Sequence, residues 1–292
     1  KNSGGELGNL HYSVTSGWLC RGLGNRPQRQ VQQRFRETIL HGERKNMPYI
    51  KINDLEVFYE EFGRGEALLF LHSHFSRGLL AFSAQILPFS GSYRCIFPDF
   101  RGHGRTRCDR LEWNSRLIAD DMADFLDALG IPSAHLFGYS CGAYVGCYMA
   151  AKYPEKVRSL VTVGGGAYPR AESADSFLPE SLLEMNDTKV IEDMKVRHFD
   201  AHRGDWQTYL RTTVADWKAH PSLRDDEWAA IKCPAFFING ENDPFGTCAE
   251  LKEKVTFARV YEVKGGGHRP HFVGEQAKEL NPMILDFLTS CR

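Results

Sequence analysis

From Tyr49 onward the apolar positions fall into two alternating rhythms. Tyr49–Asn53 and Leu55–Phe62 are short strand patterns either side of an Asn53-Asp54 turn, predicting an antiparallel start. Ala67–His72 (ALLFLH) and Tyr93–Pro98 (YRCIFP) are continuous apolar runs, the pattern of strands buried on both faces of a sheet. Asn114–Leu129 carries Leu117, Met122, Phe125 and Leu126 at helical spacing, and Gly130 ends it. His135–Tyr139 reads as a strand, Cys141–Tyr153 as a helix and Val157–Val163 as a strand again. Pro234–Asn239 and Arg259–Val263 are two further strands, and Glu275–Leu288 is a closing amphipathic helix.

Strands that alternate with helices predict parallel β-α-β units, hence an α/β fold with a doubly wound, mostly parallel sheet. The rhythm breaks between Gly164 and Trp228. Helix-like stretches (Pro179–Met194, Trp206–Lys218) occur there without a convincing strand, which predicts a small helical cap inserted over about 165–228. The stretch from Lys1 to Asn46 has no sustained periodicity, and its eight Lys and Arg outnumber three acids. It lacks the apolar stretch of a secretory signal and is expected to be a disordered basic leader or added extension, with the main domain spanning 47–292.

Composition narrows the class. The 292 residues are 42% hydrophobic and 25% charged, which is ordinary for one globular domain. A net charge of −1 gives no global pull toward nucleic acid or anionic lipid, and no apolar run approaches the roughly 20 residues of a membrane span. The eight cysteines (Cys20, Cys95, Cys108, Cys141, Cys147, Cys233, Cys248, Cys291) are scattered without a C-x-x-C pair. Free buried thiols, no metal site and a cytoplasmic setting are the expectation.

Candidate chemistry centres on Gly138-Tyr139-Ser140-Cys141-Gly142. This G-x-S-x-G ends one strand and opens a helix, the strand–turn–helix setting of a nucleophile elbow. A serine hydroxyl needs a base oriented by a carboxylate. Asp243 follows the strand PAFFIN in a loop at its carboxyl end, with Glu241 as the alternative acid. Five histidines follow Ser140. Three (His198, His202, His220) fall in the presumed cap, leaving His268, in the glycine-rich loop after the last strand, and the competing His271 nearer the final helix.

With LHSHFSRG at 71–78, DFRGHGRT at 99–106, GYSCG at 138–142, GENDPF at 240–245 and GGGHRPH at 265–271, the chain from Met47 to Arg292 resembles the capped α/β-hydrolases. The resemblance implies a cofactor-independent serine hydrolase acting on a carboxylic ester or lactone, with Ser140 as nucleophile, His268 as base and Asp243 as orienting acid. It also implies an oxyanion hole made by the backbone N–H groups of His74 and Cys141, with the His74 imidazole incidental. Asp99 and His103 are expected in turn and packing roles. Relatives commonly carry His-Gly where this chain has His72-Ser73. Some enol-lactone hydrolases also lack that glycine, which points toward lactone or enol-ester substrates. Serine at position 140 argues against the epoxide hydrolases and haloalkane dehalogenases, which use aspartate. Phe75, Trp206, Tyr209 and Trp217 are candidate lining residues for a small-molecule substrate. C–C bond hydrolysis and perhydrolysis share the same residues, and a ligand receptor with vestigial turnover is the reading from another class. Nothing before Met47 resembles a site or core segment, so removing residues 1–46 is expected to leave kcat/KM within about twofold. A truncated protein that misfolds or changes substrate preference would refute this.

Overall fold

The computed structural model describes residues 49–165, 174–220, 222–272 and 274–292; the expected leader lies outside them. Nine strands form one sheet: β1 Tyr49–Ile52, β2 Leu55–Phe62, β3 Glu66–Leu71, β4 Tyr93–Pro98, β5 Arg107–Cys108, β6 Ala134–Tyr139, β7 Val157–Val163, β8 Ala235–Gly240 and β9 Arg259–Val263. Their order is β1-β2-β4-β3-β6-β7-β8-β9, with β5 paired to β2. The β1–β2, β2–β4 and β2–β5 pairs are antiparallel, and every pair from β4 to β9 is parallel. The Asn53 turn has a positive φ of 48°, a conformation asparagine tolerates better than most residues.

The continuous apolar runs do what their pattern predicts. Leu69, Leu71, Leu136 and Phe237 point into one core layer, while Leu68, Phe70, Phe137, Phe236 and Ile238 point into the other. Period-two alternation thus buries both faces. In the second layer Phe70 stacks on Phe97 at 4.4 Å between centroids. Two short helices, α1 Gly78–Ala81 and α2 Ile86–Ser90, follow β3. Helices α3 Ser115–Ala128 and α4 Cys141–Lys152 pack on the first layer. The α3 stripe is Ile118, Ala119, Met122, Phe125 and Leu126, with Leu117 only half-buried at its edge, and the Asn114 side chain caps its first turn. The final helix, α11 Gly274–Ser290, covers the second layer with Leu280, Ile284 and Leu288.

Between β7 and β8 the described residues contain only helices: a 3₁₀ turn at Ala174–Phe177, α5 Pro179–Glu184, α6 Thr188–Arg197, α7 Phe199–His202, α8 Trp206–Ala219 and α9 Asp225–Ala230. The expected Pro179–Met194 stretch is two helices, because Asn186 turns to a φ of 52° and Asp187 caps a new start. Helix α10, Cys248–Lys254, begins with a Thr247–Glu250 capping box. No described helix is long and apolar enough to cross a membrane.

DFRGHGRT is held as a structural loop. Asp99 accepts from the backbone N–H of Gly78 at 2.8 Å and that of Arg105 at 2.9 Å. The Arg101 guanidinium binds Asp121 and Asp54 together, each through two hydrogen bonds. His103 is buried and meets His72, His74, Trp113, His198 and Tyr209 through ring contacts.

Burial pushes His72 and His271 down to about 3, and drives His103 and His198 well below the ordinary imidazole value. Around these rings the charged and titratable neighbours are chiefly His74, Arg105, Asp216, Arg197, His202, Arg269 and His268. Unfolding releases each ring to an ordinary pKa, so the unfolded chain binds more protons below pH 6.5. The stability these neutral rings contribute is present above that pH and is lost as pH falls, by about 1.4 kcal/mol per pH unit for each ring. Urea unfolding at pH 7.5 and 5.5 is expected to show a midpoint well lower at pH 5.5. Equal midpoints would mean that the folded protein accepts those protons.

Candidate active site

Ser140 stands between β6 and α4 with φ 54° and ψ −116°, a conformation in which a non-glycine residue is strained by about 1–3 kcal/mol. Its N–H donates to Val163 O at 2.9 Å, and its carbonyl accepts from the Ala143 N–H at 2.9 Å. The two glycines of the motif are there for space. A Cβ on Gly142 would lie 1.8 Å from the carbonyl oxygen of Leu71, and one on Gly138 would lie 2.3 Å from that of Gly142. The turn can form only where neither side chain exists.

Three strand ends converge on this serine. His268 Nε2 lies 3.0 Å from Ser140 Oγ, and His268 Nδ1 lies 3.0 Å from Asp243 Oδ2 and 3.1 Å from Oδ1. Asp243 also accepts from the Phe245 N–H at 3.0 Å and from Asn239 Nδ2 at 3.3 Å, so its carboxylate is fixed by donors on three sides. The acid and histidine loops are bonded together: Asn242 N–H donates to Gly266 O at 2.7 Å, and Gly265 N–H to Glu241 Oε2 at 2.7 Å. Glu241 therefore braces the loop while Asp243 faces the imidazole. Gly164, at the tip of β7, leaves room for His268; a Cβ there would sit 2.6 Å from its carbonyl oxygen and 3.0 Å from Nδ1. His271 is elsewhere, buried against Tyr139 and Phe82 with Nε2 3.1 Å from Ala81 O.

Cys141 follows the serine as the first residue of α4, and His74, in the loop after β3, reaches its sulfur with Nε2 at 3.2 Å. No acceptor among the described residues takes either backbone N–H, as expected of a helix's first residue at Cys141. His72 is locked behind them: its Nε2 accepts the Phe100 N–H at 2.9 Å, so its proton is on Nδ1 and donates to Ser73 O at 2.8 Å.

The His74 imidazole departs from the sequence expectation, because it is fully engaged. Trp217 Nε1 lies 2.9 Å from Nδ1, while Cys141 Sγ and Asp216 Oδ2 lie 3.2 and 3.4 Å from Nε2. Burial opposes a charge on this ring, whereas Cys141 and Asp216 favour one and push its pKa up to about 9. The indole outweighs that push: it can only donate, so Nδ1 keeps a lone pair and the proton sits on Nε2. His74, Cys141 and Asp216 bring ligand-type atoms within 4.8 Å of one another. A cation there would need the lone pair of Nε2 and would turn the ring proton toward the indole donor, so the cluster fits hydrogen bonding and not metal coordination.

The four aromatic residues separate. Phe75, Phe177 and Trp217 form one cluster with centroids 5.2 to 5.8 Å apart. Tyr209 is wholly buried, its hydroxyl donating to His74 O, and Trp206 lies at the start of α8 beneath Lys195. A cavity of about 210 Å³ opens at the cap seam, lined by Arg77, Leu80, Asp193, Val196 and Arg197 and by none of the four.

The model of the alpha/beta hydrolase family matches residues 68–282. The chain is 35% identical over 270 residues to the putative carbamate hydrolase RutD of Azorhizobium caulinodans, covering 82% of this chain and 98% of that protein. It is 26% identical over 297 residues to a 2-hydroxy-6-oxononadienedioate/2-hydroxy-6-oxononatrienedioate hydrolase of Burkholderia vietnamiensis, covering 86% and 99%. Among solved structures, the enol-lactonase of Burkholderia xenovorans LB400 superimposes with a TM-score of 0.66 at 23% identity, covering 83% of this chain and all of that one. This chain therefore belongs to the alpha/beta hydrolase family and is a hydrolase.

Proposed function

We propose that the chain is a serine hydrolase that cleaves a carboxylic ester or lactone through an acyl-enzyme on Ser140. The observation that carries this reading is the unbroken relay from Ser140 Oγ through His268 to Asp243, each link 3.0 Å long. The hydroxyl gives its proton to Nε2 as Oγ attacks the carbonyl carbon. Nδ1–H stays donated to Asp243, which fixes the tautomer and stabilises the imidazolium. The backbone N–H groups of His74 and Cys141 receive the developing oxyanion. Proton return from His268 to the leaving oxygen completes acylation. Water, deprotonated by the same imidazole, then releases the acid. The aromatic group Phe75, Phe177 and Trp217 suits an apolar acyl or ring substituent beside the hole.

A second reading is hydrolysis of a C–C bond beside a carbonyl, or of a carbamate, supported by the likeness to the dienedioate hydrolase and to RutD. The same attack and oxyanion stabilisation serve all three bonds, and the leaving group distinguishes them.

A panel of p-nitrophenyl esters, simple lactones, a vinylogous 1,5-diketone and an aryl carbamate tests the bond. The first two classes are expected to turn over with the higher kcat/KM, and a preference for the diketone or carbamate would replace the reading. Ser140→Ala and His268→Ala are each expected to lower kcat at least about 10³-fold with the fold intact by circular dichroism. Asp243→Asn should cost about 10²–10⁴-fold in kcat with little change in KM. His271→Ala is expected to lower the thermal midpoint instead, since its ring is packing. An alanine at 140 that kept a tenth of the activity would refute the serine mechanism.

A further inference from the structure

His74 is held from one face of one cap helix. Tyr209, Asp216 and Trp217 of α8 are seven and eight residues apart, so they share a side of the helix. The Tyr209 hydroxyl donates to the backbone carbonyl of His74, Trp217 Nε1 donates to its Nδ1, and Asp216 Oδ2 faces its Nε2–H at 3.4 Å. Asp216 is itself buried and anchored to the core, accepting from Ser115 N–H at 2.8 Å and Ser115 Oγ at 2.5 Å. The Cys141 sulfur lies 3.2 Å from His74 Nε2 and 3.8 Å from Ser115 Oγ. Both residues that would lend an N–H to the oxyanion hole thus have side chains in one buried cluster, and α8 supplies a carboxylate to it.

We propose that Asp216 is a positioning residue: it acts through His74 to aim the oxyanion-hole N–H groups, so that the hole is complete only when the cap helix is seated. The physical ground is orientation. The direction of a loop N–H is set by the torsions on either side of its peptide plane, and His74 is pinned at its carbonyl and at both ring nitrogens. Burying a carboxylate in the cap is costly without good partners, and Ser115 and this ring are among its partners here. The inference rests on the serine mechanism above.

The test measures kcat and KM on a p-nitrophenyl ester, together with affinity for phenylboronic acid, whose tetrahedral adduct on serine needs the hole, and for benzoate, which does not. Asp216→Asn places an amide near the ring N–H. It is expected to lower kcat about ten- to a hundredfold with KM changed less than about threefold, to weaken the boronate in parallel, and to leave benzoate unchanged. This is less than the 10²–10³ lost with a whole donor, because the N–H is misaimed and not removed. Tyr209→Phe, which keeps the packing, should show the same pattern more weakly. Because Asp216 acts through His74, the losses in Asp216→Asn and His74→Ala should not add in the double variant. Additive losses, or a raised KM and lowered thermal midpoint with boronate affinity and kcat intact, would overturn the proposal and leave Asp216 as a cap anchor. Ser140→Ala run alongside separates the two failures. Activity surviving there refutes the serine mechanism, whereas activity lost there but unaffected in Asp216→Asn refutes only this inference.

Discussion

Gly142 presses its α-carbon so close to the end of β3 that a methyl group would lie 1.8 Å from the Leu71 carbonyl oxygen. The rest of the site depends on that approach. It brings the first turn of α4 beside the residues that leave β3, so that the side chains of Cys141 and His74 meet at 3.2 Å next to the serine turn. It also forces Ser140 into its positive-φ conformation, since a relaxed turn would carry the helix away from β3. Strand order makes this contact possible. The chain leaves β3 toward β4 on one side and returns to β6 on the other, so a crevice opens between the carboxyl ends of β3 and β6.

What surrounds the crevice is rich in buried imidazoles, which burial keeps neutral and hydrogen bonds hold in one tautomer. His72 takes the Phe100 N–H, His198 takes the Gly104 N–H at 2.9 Å, and His103 Nδ1 gives its proton to Arg101 O at 2.7 Å. His198 lies in the cap and meets the His103 ring at 5.4 Å between centroids, so this layer is also the surface on which the cap sits. The conformation of the core loop and the seating of the cap are therefore not independent. His74, at the centre, belongs to both.

Much of this was legible in the sequence, for identifiable reasons. Runs such as ALLFLH and AHLFGY expose nothing on either face of a parallel sheet, so their register could slip without changing the pattern, but their identity as strands could not. Ser140, Asp243 and His268 were legible because each sits just past a strand, where a loop must carry whatever chemistry the sheet edge offers. Less was legible where a residue's importance lies in what it touches across the fold. Gly164 reads as a turn former, yet its missing side chain is what admits His268. Asp216 reads as one polar residue on an amphipathic helix, and only the docking of α8 against Ser115 shows that it is buried. The short helices α1, α2, α7 and α9 escaped because four to six residues hold too few turns to show a period.

A division of labour follows from where these residues lie. The serine, the histidine, the acid and the two proposed oxyanion donors all lie just past the carboxyl ends of core strands, and the five landmark motifs sit at or beside those ends. Such machinery, acting as proposed, would stabilise a tetrahedral oxyanion whatever bond is being cut. Discrimination has to come from groups that meet the acyl and leaving portions. Of the aromatic residues gathered beside His74, Phe75 is the core's contribution, while Phe177 and Trp217 belong to the insertion between β7 and β8. The insertion also reaches the oxyanion side through Tyr209 and Asp216. Trp217 touches both Phe177 and His74 Nδ1, so under the proposed mechanism a change there would alter substrate range and transition-state stabilisation together.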